Sequence, residues 1–148
     1  MRVEATYVFN APRSTVWSVL IDPEALRSAI PGCERFEALG NGEYEVAIQV
    51  GVLGIRGTYH GKATLADLEE PSHYRLVVEG SGGAGGVRGE AVVDLVEQEA
   101  GKTEVKVQGN GQVTGSLARF GEGMLGQAAK LLMNQFFGRL REVVASRG

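Results

Sequence analysis

Alternation with a period of two runs through most of this chain, and it constrains the fold more than any other feature. Residues 2–9 set Val3, Ala5, Tyr7 and Phe9 against Arg2, Glu4 and Thr6. The same pattern recurs over 43–52, 55–68, 73–79, 86–97 and 102–113, with a shorter stretch at 33–39. Each stretch has one wet face and one dry face. A sheet of that kind is antiparallel and single-sided, and its dry face needs a cover. Two short helical pieces separate the first two strands. Pro12 opens one at a position a first turn tolerates, and Asp22 caps another that starts at Pro23 and ends before Pro31-Gly32. The only segment long enough to cover the sheet is the last. Leu117, Phe120, Met124, Ala128, Leu131, Phe136, Leu140 and Val143 form an apolar stripe along one helix over 115–146. The expectation is an α+β fold: a seven-stranded antiparallel sheet covered by a long C-terminal helix, in the order β-α-α-β-β-β-β-β-β-α.

At 148 residues the chain makes one domain, 1–148, with about two-thirds of its unfolded surface buried. Its hydrophobic stretches fall short of the roughly 18–20 residues that cross a bilayer, so no integral membrane segment is expected. The start MRVEATYVF has no apolar run behind its arginine, which argues against a signal peptide and for a cytoplasmic location. One cysteine rules out an internal disulfide. The formal net charge of −3 does not suit a nucleic-acid backbone. The balance is uneven, +3 from Val113 onward and −6 before it, so a weakly basic terminal helix could meet an anionic surface peripherally.

Glycine is the outlier, with 22 residues. Gly57, Gly61, Ala63, Gly89, Ala91, Gly109 and Gly111 all alternate onto the face turned toward the helix. Strand interiors avoid glycine, so these positions mark strong curvature or close approach by another group. Two compatible readings follow. The sheet bends tightly around the helix, or a hollow lies between them, lined by Tyr7, Tyr59, Gly61, Leu65, Gly89, Val93, Val107, Gly109, Phe120 and Met124. Tyr59 is the inward polar group best placed to meet a ligand carbonyl, although a buried phenol more often has a structural partner.

Chemistry-bearing motifs are sparse. Gly80-Ser81-Gly82-Gly83-Ala84-Gly85 spells G-x-G-x-x-G, yet a strand follows it where a dinucleotide fold needs a helix, so it reads as a flexible hairpin loop and no cofactor is expected. His60 and His73 both alternate outward, and no metal site is expected. Cys33, at a helix-to-strand junction, reads as a small hydrophobe. Asp67, Glu69 and Glu70 read as a solvated turn before Pro71. No catalytic residues are assigned.

The stretch Ala11-Pro12, Val16-Trp17, Leu20, Asp22-Pro23-Glu24, Leu26 and Ile30-Pro31-Gly32-Cys33-Glu34 resembles the signature of the CoxG family, named for the G subunit of carbon monoxide dehydrogenase. Val50-Gly51, the Gly57 to Asp67 strand and Phe136-Phe137 with Leu140 are similar to it as well. The family belongs to the START-like (SRPBCC) helix-grip superfamily, whose members hold lipids, sterols, polyketides or other apolar molecules between sheet and helix. The resemblance implies a non-catalytic accessory of a CO dehydrogenase-type molybdenum hydroxylase that binds a quinone- or lipid-like molecule. Two alternatives stand beside it: an adapter that docks such an enzyme without ligand, and a polyketide cyclase- or hydrolase-like enzyme. The enzyme would need convergent acid–base groups inside, where alternation places only tyrosines.

Overall fold

The computed structural model describes residues 1–147. Its elements run β1 (Arg2–Phe9), α1 (Arg13–Leu20), α2 (Pro23–Ala29), β2 (Cys33–Gly40), β3 (Glu43–Val52), β4 (Ile55–Glu69), β5 (His73–Gly82), β6 (Gly85–Glu99), β7 (Lys102–Val113), a 3-10 turn (Gly115–Phe120) and α3 (Gly121–Arg147). All neighbouring strands pair antiparallel, in the spatial order β1-β7-β6-β5-β4-β3-β2. This is the element order and covered sheet expected from the alternation, and the helix-grip architecture that the family resemblance implies.

The register assigns each residue to a face. Ala63, Val78, Gly89 and Gly111 lie opposite one another on the inner side, and the next row holds Leu65, Leu76, Ala91 and Gly109. One end of the grip is sealed. There Phe9, Leu95, Val105 and Leu140 are almost wholly buried against Val16, Val19 and Leu20 of α1. The Tyr7 and Phe137 rings stack at 4.1 Å, and the Trp17 ring meets Tyr74 edge-on at 5.7 Å. Asp22 caps α2 as expected, accepting from the Glu24 N–H at 3.1 Å. Its carboxylate also takes a hydrogen bond from Arg147, which ties the end of α3 to α2 and holds the Asp22 pKa below its ordinary value.

Two expectations are corrected. The Gly80–Gly85 stretch is not a flexible loop, because β5 runs through Gly82 and β6 begins at Gly85, leaving only Gly83-Ala84 as the tip. Glycine is needed there for proximity. A Cβ at Gly82 would lie 2.7 Å from the Thr58 carbonyl oxygen, and Gly85 has φ +140° against the Thr114 backbone. The terminal helix is also not continuous from 115. Gly121 has φ +80° and separates the 3-10 turn from α3.

The helix's buried stripe is rotated from the expected one. Leu125, Ala128, Phe137, Leu140 and Val144 are buried, whereas Met124 and Leu131 are about 40% exposed. The segment carries adjacent apolar pairs (Met124-Leu125, Leu131-Leu132, Phe136-Phe137, Val143-Val144), so two stripes about one residue apart compete, and docking selects between them.

Candidate functional site

The inner wall is sealed at one end and incompletely covered at the other. Tyr7, Leu65, Val93 and Val107 join the large closed-end cluster. A second, smaller cluster of Ile55, Leu117, Leu125 and Ala128 sits at the opposite end, with Tyr59, Val87 and Val113 packed against it. Ile48, Val78 and Leu132 belong to neither cluster. Leu76, Val78 and Ala91 lie on the inner face of the two central strands and are still only partly buried. Central-strand residues facing a covering helix are ordinarily sealed, so α3 does not fully close this stretch of wall. The helix backbone runs close to α1, α2, β1 and the 3-10 turn, leaving the middle strands farther from it.

The inward glycines are wall rather than floor. A Cβ on Gly61 would lie 2.6 Å from the Gly80 Cα, and one on Gly109 would lie 2.8 Å from the Glu90 carbonyl oxygen. At Gly89 the nearest atom would be the Asn110 carbonyl oxygen at 3.2 Å. Their small size lets neighbouring strands approach and the sheet curl. The structure therefore supplies a direct cause for the glycine-rich face in strand curvature. The remaining expected lining residues, Phe120 and Met124, stand at the rim of the open end and are 36% and 40% exposed.

Polar groups near this wall are few. The Tyr59 ring packs over Gly82, and its buried hydroxyl has no hydrogen-bond partner among the described residues. The Tyr7 hydroxyl instead donates to Asn134 Oδ1 at 2.7 Å. Burial raises the Tyr7 pKa, against a smaller lowering by the Arg141 guanidinium. Asn134 was not among the expected site residues; it is an exposed residue of α3, one turn before the buried Phe137 that stacks on Tyr7. The Trp17 indole N–H is likewise buried without a partner among the described residues, at the closed end.

Elsewhere the polar side chains sit at the surface, apart from Thr103, which is buried and donates to the Ala11 carbonyl at 2.8 Å. Among the described residues no group of three or more His, Cys, Asp or Glu is arranged to hold a metal ion. Burial pushes the Cys33 thiol pKa up, away from the thiolate, and its Sγ donates to the Arg35 carbonyl at 3.4 Å. On the outer face, His73 Nδ1 lies 2.7 Å from Asp94 Oδ1, and that hydrogen bond raises the His73 pKa above 6.5. The folded state therefore binds this proton more tightly than the unfolded one. The pair's contribution is full below pH 6.5 and is lost as pH rises through the raised value. Thermal melts across that range should show wild type losing stability relative to His73→Gln; parallel curves would mean the pair contributes nothing.

No helix among the described residues is long and apolar enough to cross a membrane. Two open grooves flank the uncovered end. One, of about 510 Å³, follows the β3–β4 hairpin past Val50, Val52 and Gly57, and the other, of about 610 Å³, lies between Leu53 and the α3 residues Gly126, Lys130 and Leu131.

Comparison with known proteins agrees with this architecture. A conserved protein from Geobacillus kaustophilus is 32% identical, with a TM-score of 0.96 over 99% of this chain and 96% of that one. A START superfamily protein from Mycobacterium smegmatis shares the fold at 14% identity, with a TM-score of 0.77 over 99% of both chains. The ZhuI aromatase/cyclase from Streptomyces sp. R1128 does so at 19% identity, with a TM-score of 0.72 over 99% of this chain and 94% of that one. No curated protein matched. The fold is thus START-like, and residues 7–145 match a single family. Since that match takes in the grip from β1 almost to the end of α3, the chain belongs to the CoxG family, that of the carbon monoxide dehydrogenase G subunit.

Proposed function

We propose that this protein is a non-catalytic carrier. It holds an apolar small molecule, quinone- or lipid-like, between the uncovered inner wall and α3, and serves a CO dehydrogenase-type molybdenum hydroxylase in the cytoplasm. The observation that carries this reading is the Tyr59 hydroxyl, buried and unpartnered beside partly exposed apolar wall. An unsatisfied buried hydroxyl costs about 1–3 kcal/mol, and a ligand carbonyl that displaced the groups now covering it would remove that cost by accepting its proton. Ile48, Val78 and Leu132 would bury the ligand's apolar surface, at about 25 cal/mol per Å². Membership in the CoxG family supports the accessory role. Gly61, Gly89 and Gly109 would act by shaping the wall, and Phe120 and Met124 by framing its entrance.

The test is native mass spectrometry of freshly purified protein, followed by organic extraction and reloading with a short-chain alkyl benzoquinone. Wild type should carry a reproducible adduct or take up the quinone. Tyr59→Phe should stabilise the empty protein by about 1 kcal/mol while weakening quinone retention roughly tenfold. A bare 15.7 kDa species that ignores the quinone would sink the carrier reading and favour the adapter. The likeness to an aromatase/cyclase keeps one further outcome in view: turnover of a polyketide-like substrate, abolished by Tyr59→Phe, would make the protein an enzyme.

A further inference from the structure

The two edges of the sheet are finished differently. On the β1 side the odd-numbered residues pair with β7, as the bond from the Gly111 N–H to the Met1 carbonyl shows, so the even-numbered ones point their backbone groups away. α3 lies along that edge, and the Arg141 guanidinium donates to the Val8 carbonyl at 3.0 Å. The edge at β2 has no such cover. Gln49 donates to the Gly32 carbonyl and Leu65 to the Gly42 carbonyl, so β3 turns its odd-numbered residues toward β2 and its even-numbered ones toward β4. Arg35 and Glu37, opposite Ala47 and Glu45, therefore pair their backbone groups with β3. Phe36 and Ala38 point theirs outward, where no hydrogen bond among the described residues meets them.

This free edge also lacks the usual guards. Edge strands are ordinarily blunted by proline, lysine, an inward charge or a bulge, and over 35–38 β2 has none of these. Its irregular positions, Glu34 and Leu39, lie on either side of that stretch, and Leu39 is 54% exposed. On the outer face the Arg35 guanidinium meets Glu45 at 2.9 Å and Glu37 at 3.3 Å, and all three side chains are about half exposed. A guanidinium has five donors and a carboxylate about four lone-pair sites, so Arg35 and Glu37 can each take a further partner.

We propose that two copies of this chain join along β2, antiparallel about a two-fold axis at Phe36. Outward-pointing residues of the two copies face one another only when the axis passes through a residue. An axis at Glu34, Arg35 or Glu37 sets that residue against its own copy, a like-charge pair. An axis at Ala38 draws the Leu39 bulge and the Asn41-Gly42 tip into the pairing. The axis at Phe36 avoids both faults. It pairs the two Phe36 backbones and sets Arg35 opposite Glu37 of the second copy, twice, at the non-hydrogen-bonded positions where side chains lie closest. It also brings the exposed Leu39 beside Cys33 of the second copy. So short a pairing falls below the ~1,200 Å² of a standard interface, so the dimer is weak and depends on concentration. The joined strands run oppositely, which points the open ends of the two grips in opposite directions and covers neither. The dimer goes beyond the carrier reading and does not rest on it.

Sedimentation equilibrium from micromolar to millimolar concentration tests it. The mean mass of wild type should rise from 15.7 kDa toward twice that value. Glu37→Arg sets Arg35 against a second cation, and Arg35→Glu sets Glu37 against a second anion. Each should weaken self-association roughly tenfold or more. Both side chains are about half exposed, so both variants should melt close to wild type. Mixed in equal amounts, the two variants should associate with each other about as tightly as wild type does with itself, because each supplies the charge the other lacks. Wild type that stays monomeric throughout the range overturns the proposal. So does a dimer that either single variant leaves unchanged, and so does a mixture that fails to restore association.

Discussion

Phe9→Ala should destabilise the domain by about 3–5 kcal/mol, which is much of the ~5–15 kcal/mol that holds an ordinary domain together. Phe9 is 1% exposed and sits where the end of β1 meets the last turns of α3. Its ring meets Phe137 edge-on at 6.4 Å, and the Arg141 guanidinium lies 5.8 Å from its centroid. Truncation would leave a void bordered by the sheet, α1 and α3, none of which can move in without breaking the others' contacts. Urea denaturation followed by circular dichroism gives the shift directly. The matched control is Leu131→Ala, on an exposed face of the same helix, which should move the midpoint by less than about 0.5 kcal/mol. Comparable losses in both variants would mean that the closed end is not the stabilising core.

The second large effect is a pair of opposite sign. Gly61→Ala should cost about 1–3 kcal/mol or more, because the new methyl would lie 2.6 Å from the Gly80 Cα and 2.8 Å from the Glu79 carbonyl carbon. Both are backbone atoms of the adjoining strand, so relief requires β4 and β5 to separate. Gly138→Ala adds the same methyl where nothing lies within 4 Å and the backbone is helical. It should gain about 1 kcal/mol from helix propensity alone, or a few degrees in Tm. Two stabilised variants would show that the sheet relaxes at Gly61. The inner wall would then be softer than its glycine packing indicates.

That pair also bears on ligand binding. Bulky replacement of an inward glycine is an obvious way to block an internal site, yet at Gly61 and Gly109 it would strike the neighbouring strand before it reached any ligand. Loss of binding in such a variant would report a damaged wall. Tyr59→Phe avoids the difficulty, because it removes one oxygen and leaves the packing of the ring intact.

The order of elements and the single-faced sheet were legible in the sequence, because alternation is local. Whether residue i faces in or out depends on its own strand, and seven such strands with one long helix leave few arrangements. The Asp22 cap was legible for the same reason, since its partner is the N–H of Glu24, two residues away. The candidate site was legible only as a face. Alternation could place Tyr59, Gly61 and Gly89 on the inner side, but whether each meets a neighbouring strand, a helix or open space depends on distances between elements far apart in the chain. Gly61 meets β5, Tyr59 lacks a partner among the described residues, and Tyr7 finds Asn134 from 127 residues away.

The terminal helix shows where local information ends. Its doubled apolar positions make two stripes equally readable, and only the docked sheet, α1 and α2 decide that Leu125, Phe137 and Val144 go in while Met124 and Leu131 stay out. The Gly80–Gly85 stretch is similar, since composition suggested a loose loop where pairing with β4 and proximity to Thr114 hold a tight hairpin. What the amino-acid sequence determined by itself was therefore periodicity, capping and the curvature its glycines permit. The tertiary structure decided the rotation of α3, the partnering of the inner tyrosines and which edge of the sheet α3 covers. Those depend on contacts between distant segments, for which no single stretch of the chain carries a signal.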